Sequence, residues 1–413
     1  MSRILTALFV TSALFLTSTA STPNYTVNEC YGSSRPYPEP SGLCSYPDSL
    51  TPVMINHVSR HGARYPSSSK ACDLLLDALK KAEKARTITL RGKELKKMVE
   101  TVIETSSGRW GILDSLGIAE QQGIAARMYV TYAKLFKSAS VNAISSYVPR
   151  CVLSMYEFTH QLSRLHPDIE ITTTSGSINS PLMRFFDLND KYTELVKSHP
   201  LNDIYQSYRD TMITYAPLRR VLGRKFDMGI IDSTAVAQAE YSVISSMAAM
   251  EMPNNVARFF EPDEFNAMWA INNLRQYLTH SASDVSQLPA NIAAPLLQNI
   301  IETTDALIEG DDVAPVQLRF GHAETLMPLL ALMHIDSCRY LTTDYNTVAQ
   351  YWHNFYVVPM ASNLQLVLFK SSSGKLYIRA ELNEQPIPLL PGSTEIYVPW
   401  SEARTFMQSC MGV

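Results

Sequence analysis

The sequence has no long uncharged apolar run beyond its first twenty residues, no excess of positive charge, no CxxC or Cys/His spacing, and no internal repeat or low-complexity tract. Each absence removes a class of function. A membrane helix needs about 20 consecutive apolar residues, and no segment after the leader region supplies them. With 35 Lys+Arg against 39 Asp+Glu the formal net charge is −4, so nucleic acid is not an expected partner and any anion site must be local. No metal site or other cofactor is predicted, because no cysteine or histidine spacing asks for one. The ending Gln408-Ser409-Cys410-Met411-Gly412-Val413 is neither an ER-retention signal nor a GPI tail.

The first twenty residues read as a secretory signal peptide. Arg3 supplies the charge, Ile4 to Leu16 is an apolar run too short to span a bilayer, and Ser18-Thr19-Ala20 offers small residues for cleavage. The expected localisation is secreted or lumenal. An even set of six cysteines (Cys30, Cys44, Cys72, Cys151, Cys338, Cys410) then favours disulfides, with Cys30–Cys44 the first pairing to test among fifteen possible connectivities. Asn24-Tyr25-Thr26 is the one glycosylation sequon.

The most informative stretch is Arg60-His61-Gly62-Ala63-Arg64-Tyr65-Pro66. It follows the apolar run Val53-Met54-Ile55, read as a buried strand, and precedes a helix with Ala71, Leu74, Leu75, Ala78, Leu79 and Ala82 at helical spacing. Ser67-Ser68-Ser69 offers candidates for its N-cap, and Gly62 a place for the backbone to turn. Two further segments follow the same order of strand, turn, reactive residue and helix: Val141–Ser145 leading to Arg150, and Val316–Phe320 leading to His322 and Glu324. Ile169–Thr172 is another strand candidate, and Leu364–Lys370 with Lys375–Leu382 reads as a β-hairpin. Between about 180 and 300 the strand alternation disappears. The predicted fold is therefore α/β, a mainly parallel sheet flanked by helices with an inserted all-helical subdomain. Its parts are 21–179 and 301–413 for the core and 180–300 for the insert.

If the three strands are parallel neighbours, their reactive residues meet at one rim of the sheet. Guanidinium forks match the oxygens of a phosphate monoester, an imidazole can take the phosphoryl group, and a carboxylic acid can protonate the departing alkoxide. A histidine pair His57/His61 at i, i+4 could suggest a metal. The strand-and-turn context argues against a shared face.

The heptapeptide resembles the signature of the histidine acid phosphatases. Gly321-His322-Ala323-Glu324-Thr325-Leu326 resembles that family's second motif, in which His is usually followed at once by Asp. The intervening Ala323 and the Glu resemble the multiple inositol polyphosphate phosphatase branch. Arg150-Cys151 with Ser154 and Phe158, and the stretch from Ser362-Asn363-Leu364 to Leu382-Asn383-Glu384, resemble it too. Pro149 departs from the polar or basic residue expected before Arg150. The resemblance implies His61 as nucleophile, Arg60, Arg64, Arg150 and His322 as phosphate ligands, and Glu324 as proton donor. The expected substrate is an inositol polyphosphate, and the expected activity is metal-independent with an acidic preference. Lys70 is a candidate for a neighbouring phosphate. The basic run Lys80–Lys97 and the cluster Arg219, Arg220, Arg224 and Lys225 are candidates for secondary contacts or simply solvated faces. The alternatives are a broad acid phosphatase on small monoesters, a phosphoglycerate-mutase-like transferase, and an inactive secreted phosphate-binding protein on the same fold.

Overall fold

The computed structural model describes residues 23–412. The signal-peptide expectation for residues 1–20 lies outside them. Eight strands in these residues form one mixed sheet: β1 (Leu50–Arg60), β2 (Val141–Ser145), β3 (Ile171–Ser175), β4 (Val316–Gly321), β5 (Asn363–Ser371), β6 (Leu376–Leu382), β7 (Gln385–Ile387) and β8 (Val398–Pro399). Their order is β3-β2-β4-β1-β5-β6-β7, with β8 on β6. The pairs β3–β2, β2–β4 and β4–β1 are parallel, and the hairpin β5–β6 runs antiparallel beside β1. Register decides the function of this sheet. Arg60 lies opposite Gly321 and Ser145 opposite Phe320, so three strands end level with one another.

Both faces of the sheet are covered. Along β4, Val316, Leu318 and Phe320 face one core, which also takes Ile55, Val141, Ala143, Met128, Met155 and Phe158. That core is roofed by the helices Ser115–Thr131 and Pro149–Leu165. The opposite face carries Met54 and Val58 of β1 with Leu364, Leu366 and Leu368 of β5. Every element between β3 and β4 is helical, and its Leu218, Ile244 and Trp269 belong to this second core. Thus period-2 alternation within each strand feeds two separate apolar layers. His57 points into the first layer, against Phe158 and Phe320, with ring centroids 5.2 and 5.9 Å away. Burial holds its imidazole down at about 3, so it is a neutral packing residue.

One local expectation is corrected, and two gain detail. All six cysteines are free thiols. Cys30 Sγ lies 3.5 Å from Asn266 Oδ1, whereas Cys44 Sγ meets the Glu384 carbonyl at 2.8 Å, so the two are drawn to different parts of the molecule. Ser69 stands at the N-cap of the helix Lys70–Lys84, without a side-chain capping bond. Gly62 turns without a positive φ, and its lack of a side chain is required by a close crossing, since a Cβ there would lie 2.5 Å from the Gly117 carbonyl oxygen. Pro149 also finds a reason: it opens its helix at the first position, where a missing N–H costs nothing.

Within the helical layer, Glu240 of the helix Ser233–Ala248 is fully buried, and neither carboxyl oxygen has a hydrogen-bond partner among the described residues. Burial raises its pKa to about 8 against the pull of Arg220 and with a further push from Glu264. An acid whose folded pKa is raised stabilises the fold below its unfolded value and loses that contribution as pH rises. The window here runs from about 4.5 to about 8. Glu240→Gln should therefore match wild type near pH 4 and exceed it in stability at pH 8 by on the order of a few kcal/mol. Denaturant midpoints at the two pH values check this, and parallel pH dependences for both proteins would refute it.

Candidate active site

The site is built on the loop that leaves β1. Each backbone N–H of Arg60–Ala63 has a fixed partner: Arg60 N donates to Ser362 O, His61 N to Gly321 O, Gly62 N to Ser154 Oγ at 3.1 Å, and Ala63 N to Glu120 Oε2 at 2.7 Å. Ser154 and Glu120 sit on the two roofing helices, so the loop is pinned to the elements beneath it. His61 is 3% exposed. Its Nδ1 is 2.9 Å from the Gly62 carbonyl. A carbonyl only accepts, so Nδ1 carries the proton and Nε2 keeps a free lone pair. Burial, followed by Arg60, Arg150, Arg64 and His322, holds this imidazole well below the usual histidine range.

The cations converge as the parallel strands require. Arg60 Nη1 donates to the carbonyls of Ser33 and Val358, both at 2.6 Å, and Arg64 Nη1 to Tyr65 O at 2.8 Å. Arg150 Nη2 lies 3.2 Å from His322 Nδ1. The Nε–H groups of Arg60, Arg64 and Arg150 are all buried without an acceptor among the described residues. Burial and mutual repulsion depress two of the guanidiniums, Arg60 to about 9 and Arg64 to about 10. Such a cluster of desolvated donors calls for an anion with several oxygens.

His322 caps the strand-to-helix turn after β4, its N–H held by Thr325 Oγ1 at 3.0 Å. Its Nε2 is 2.9 Å from both Ser146 Oγ and Arg184 Nη1. Its ring centroid is 5.9 Å from that of His61. Burial lowers it, with Arg150, Arg184 and Arg60 adding to the effect against Glu324. Glu324, in the first turn of the helix Ala323–Leu332, keeps partial solvent access. Burial alone would raise its carboxyl, but His280, His322, its own backbone N–H and Arg60 outweigh that and hold it below the ordinary glutamate range.

Of the residues singled out in the sequence, His61, Arg60, Arg64, Arg150, His322 and Glu324 therefore share one cleft. Lys70 is exposed at the first position of its helix. Sequence reasoning missed Arg184, whose Nε donates to Asp187 Oδ2 at 2.6 Å while Nη1 faces His322. It also missed His280, bound to Tyr192 Oη at 3.0 Å, and the anchors Glu120 and Ser146. Arg184 and His280 come from the helical stretch between β3 and β4, where no strand-turn pattern marks a residue as reactive.

Parallel strands that deliver clustered guanidiniums and two neutral imidazoles to one rim mark an α/β enzyme of the histidine phosphatase type. The chain belongs to the histidine phosphatase superfamily (branch 2), whose profile matches residues 53–383. It is 24% identical over 391 residues to multiple inositol polyphosphate phosphatase 1 of Homo sapiens, covering 87% of this chain and 79% of the relative. It is 23% identical over 396 residues to a thiamine-repressible acid phosphatase of Schizosaccharomyces pombe, covering 89% and 83%. Its fold matches the multiple inositol polyphosphate phosphatase of Bifidobacterium longum in complex with inositol hexasulfate at a TM-score of 0.79. That match is 18% identical and covers 92% of this chain and 97% of the other.

Loss of one buried, charge-assisted donor typically costs roughly 1.5–3 kcal/mol. Arg150→Ala and Arg184→Ala should each weaken inorganic phosphate binding by about ten- to a hundredfold. Competitive inhibition by phosphate measures this; unchanged inhibition constants would remove these residues from the anion site.

Proposed function

We propose that the protein is a phosphomonoesterase acting on inositol polyphosphates through a phosphohistidine intermediate. The observation that carries this is the buried set of arginine donors around a neutral His61 whose Nε2 is free to attack. Nε2 attacks phosphorus, and the bond to the ester oxygen breaks. The electron pair left on that oxygen takes the proton of the Glu324 carboxyl. In the second step the Glu324 carboxylate removes a proton from water, the resulting hydroxide displaces His61 from phosphorus, and phosphate leaves. Arg60, Arg64, Arg150, Arg184 and His322 hold the equatorial oxygens as charge spreads over them.

The cationic cleft favours ionised Glu324, so this scheme needs the substrate itself to restore the proton. A phosphate dianion set among the guanidiniums cancels much of the field that depresses the carboxyl. Activity should then be highest in acid and fall with rising pH as Glu324 ionises in the complex. The depressed His61 keeps the nucleophile unprotonated well below pH 6.5. A rate that is flat from acid to alkaline pH would contradict the scheme.

His61→Ala should abolish phosphate release. Glu324→Gln should lower kcat by roughly 10²–10⁴ on an alkyl ester such as an inositol phosphate, and much less on an aryl phosphate, whose phenolate departs without a proton. Equal losses on both substrates would take the proton-donor role from Glu324. The similarity to a fungal acid phosphatase favours a second reading, broad hydrolysis of small monoesters. Comparing kcat/KM for inositol hexakisphosphate and an aryl phosphate separates the two. Secretion and glycosylation at Asn24, which is exposed, belong to the same proposal.

A further inference from the structure

The two basic clusters noted in the sequence are not near the cleft, and they are not separate. A side chain on Gly111 would lie 3.7 Å from Ser67 and 3.8 Å from Arg150 Nη1, so Ser67 stands at the rim of the site. The helix Lys70–Lys84 starts just beyond Ser67 and is about 22 Å long by its 15 residues. Its far end carries Lys84 and Arg86, beyond the reach of phosphates on a single ring held at His61.

There the chain meets the second cluster. Thr89 N donates to Val221 O, and Thr89 Oγ1 donates to Arg220 O at 2.8 Å. Two glycines permit the approach. A Cβ on Gly92 would fall 2.1 Å from Val221 O, and one on Gly223 would fall 2.0 Å from Thr87 O. Residues more than 120 positions apart are thus locked backbone to backbone. The result brings together the segments that carry Lys84, Arg86, Lys93, Arg219, Arg224 and Lys225, and all six are exposed.

None of these six forms an ion pair among the described residues, although the chain as a whole is negative. The nearby acids are engaged elsewhere: Glu83 with Lys96 at 3.3 Å and Glu94 with Arg258 at 2.8 Å. Asp227, beside Lys225, accepts from Gly229 N at 2.9 Å. Six unpaired cations on a negative protein form a local field that attracts polyanions. Three of them are arginines, whose forks fit tetrahedral oxyanions in two-point contacts. Of the aromatic residues beside these cations Phe226 is buried, and Tyr215 alone is no series on which nucleic-acid bases could stack. Leu90, 83% exposed, is a single apolar side chain where bilayer binding needs a stripe.

We propose that this surface binds a linear sulfated polysaccharide, independently of catalysis. Heparin is the probe, immobilised, at pH 7.4, where the protein's net charge opposes retention. Wild type should bind and elute with salt. The triple variant Arg86→Ser/Arg224→Ser/Lys225→Ser should bind on the order of a hundredfold more weakly. A control, Lys134→Ser/Lys137→Ser/Lys375→Ser, removes the same charge from exposed positions elsewhere and should bind like wild type. All three should turn over an aryl phosphate alike, which certifies their folding. Failure of wild type to bind, or equal weakening by both triples, overturns the proposal. Tighter binding to phosphatidylserine vesicles than to heparin would overturn it in favour of a membrane surface.

Discussion

The constraint on which the structure turns is the forced proximity of like charges. Four guanidiniums and two imidazoles crowd the end of a sheet, with Arg60 and both imidazoles almost wholly withdrawn from water. Nothing local would keep such a set together. Arg60 is held because two carbonyls, from Ser33 in the N-terminal arm and Val358 in the loop before β5, take up its Nη1 hydrogens. The arm is held in turn: Tyr37 N donates to Glu120 and Tyr37 Oη to Glu384, which also binds Arg127. Segments distant in sequence are thus tied to one point by the cost of leaving a buried cation unpartnered.

Glu120 makes the dependence plain. One carboxylate oxygen accepts from the arm and the other from the loop that carries His61. It lies close enough to Arg60 for their charges to interact, yet burial raises it to about 7. Asp114, capping the same helix through Gly117 N, is raised to about 6. The acids beneath the cleft are therefore poor at neutralising the cations above it. The field stays positive where an anion would sit, and the fold carries that frustration instead of relieving it.

What was legible in the sequence was what is local. The signature, the strand-turn-helix order of its two partners and the β5–β6 hairpin each depend on a short window, and the structure has them where the pattern placed them. Ser154 and Phe158 have physical reasons as well: one receives Gly62 N, the other packs on His57 and Phe320. Arg184 and His280 were not legible, because they reach the cleft only through packing of helices whose sequence shows nothing but amphipathic spacing. The cysteines misled for a related reason. Their even count speaks to a compartment, but only tertiary placement decides whether two sulfurs meet. Gly62 was legible only as a place to turn, and the stronger reason for a glycine there, its crossing with Gly117, was not. A turn is a property of a short window, whereas a close crossing is a property of two residues far apart in sequence.

One consequence joins the cleft to the rest of the molecule. Glu240, Glu120 and Asp114 lie in different surroundings, yet burial raises all three, so each favours the proton-bound form of the folded chain. By linkage, stability from these groups is greatest in acid and declines toward neutrality. The proposed chemistry needs a protonated Glu324, which points the same way. The two demands are met by opposite physics. Desolvation protonates the structural acids permanently at low pH, while the cationic cleft keeps Glu324 ionised until an anion arrives. A proton donor that burial alone kept protonated would remain so whether or not substrate was bound. A donor that depends on the substrate's own charge is armed only when there is an ester to cleave. On this reading the arginines both bind phosphate and set the condition under which the acid can act.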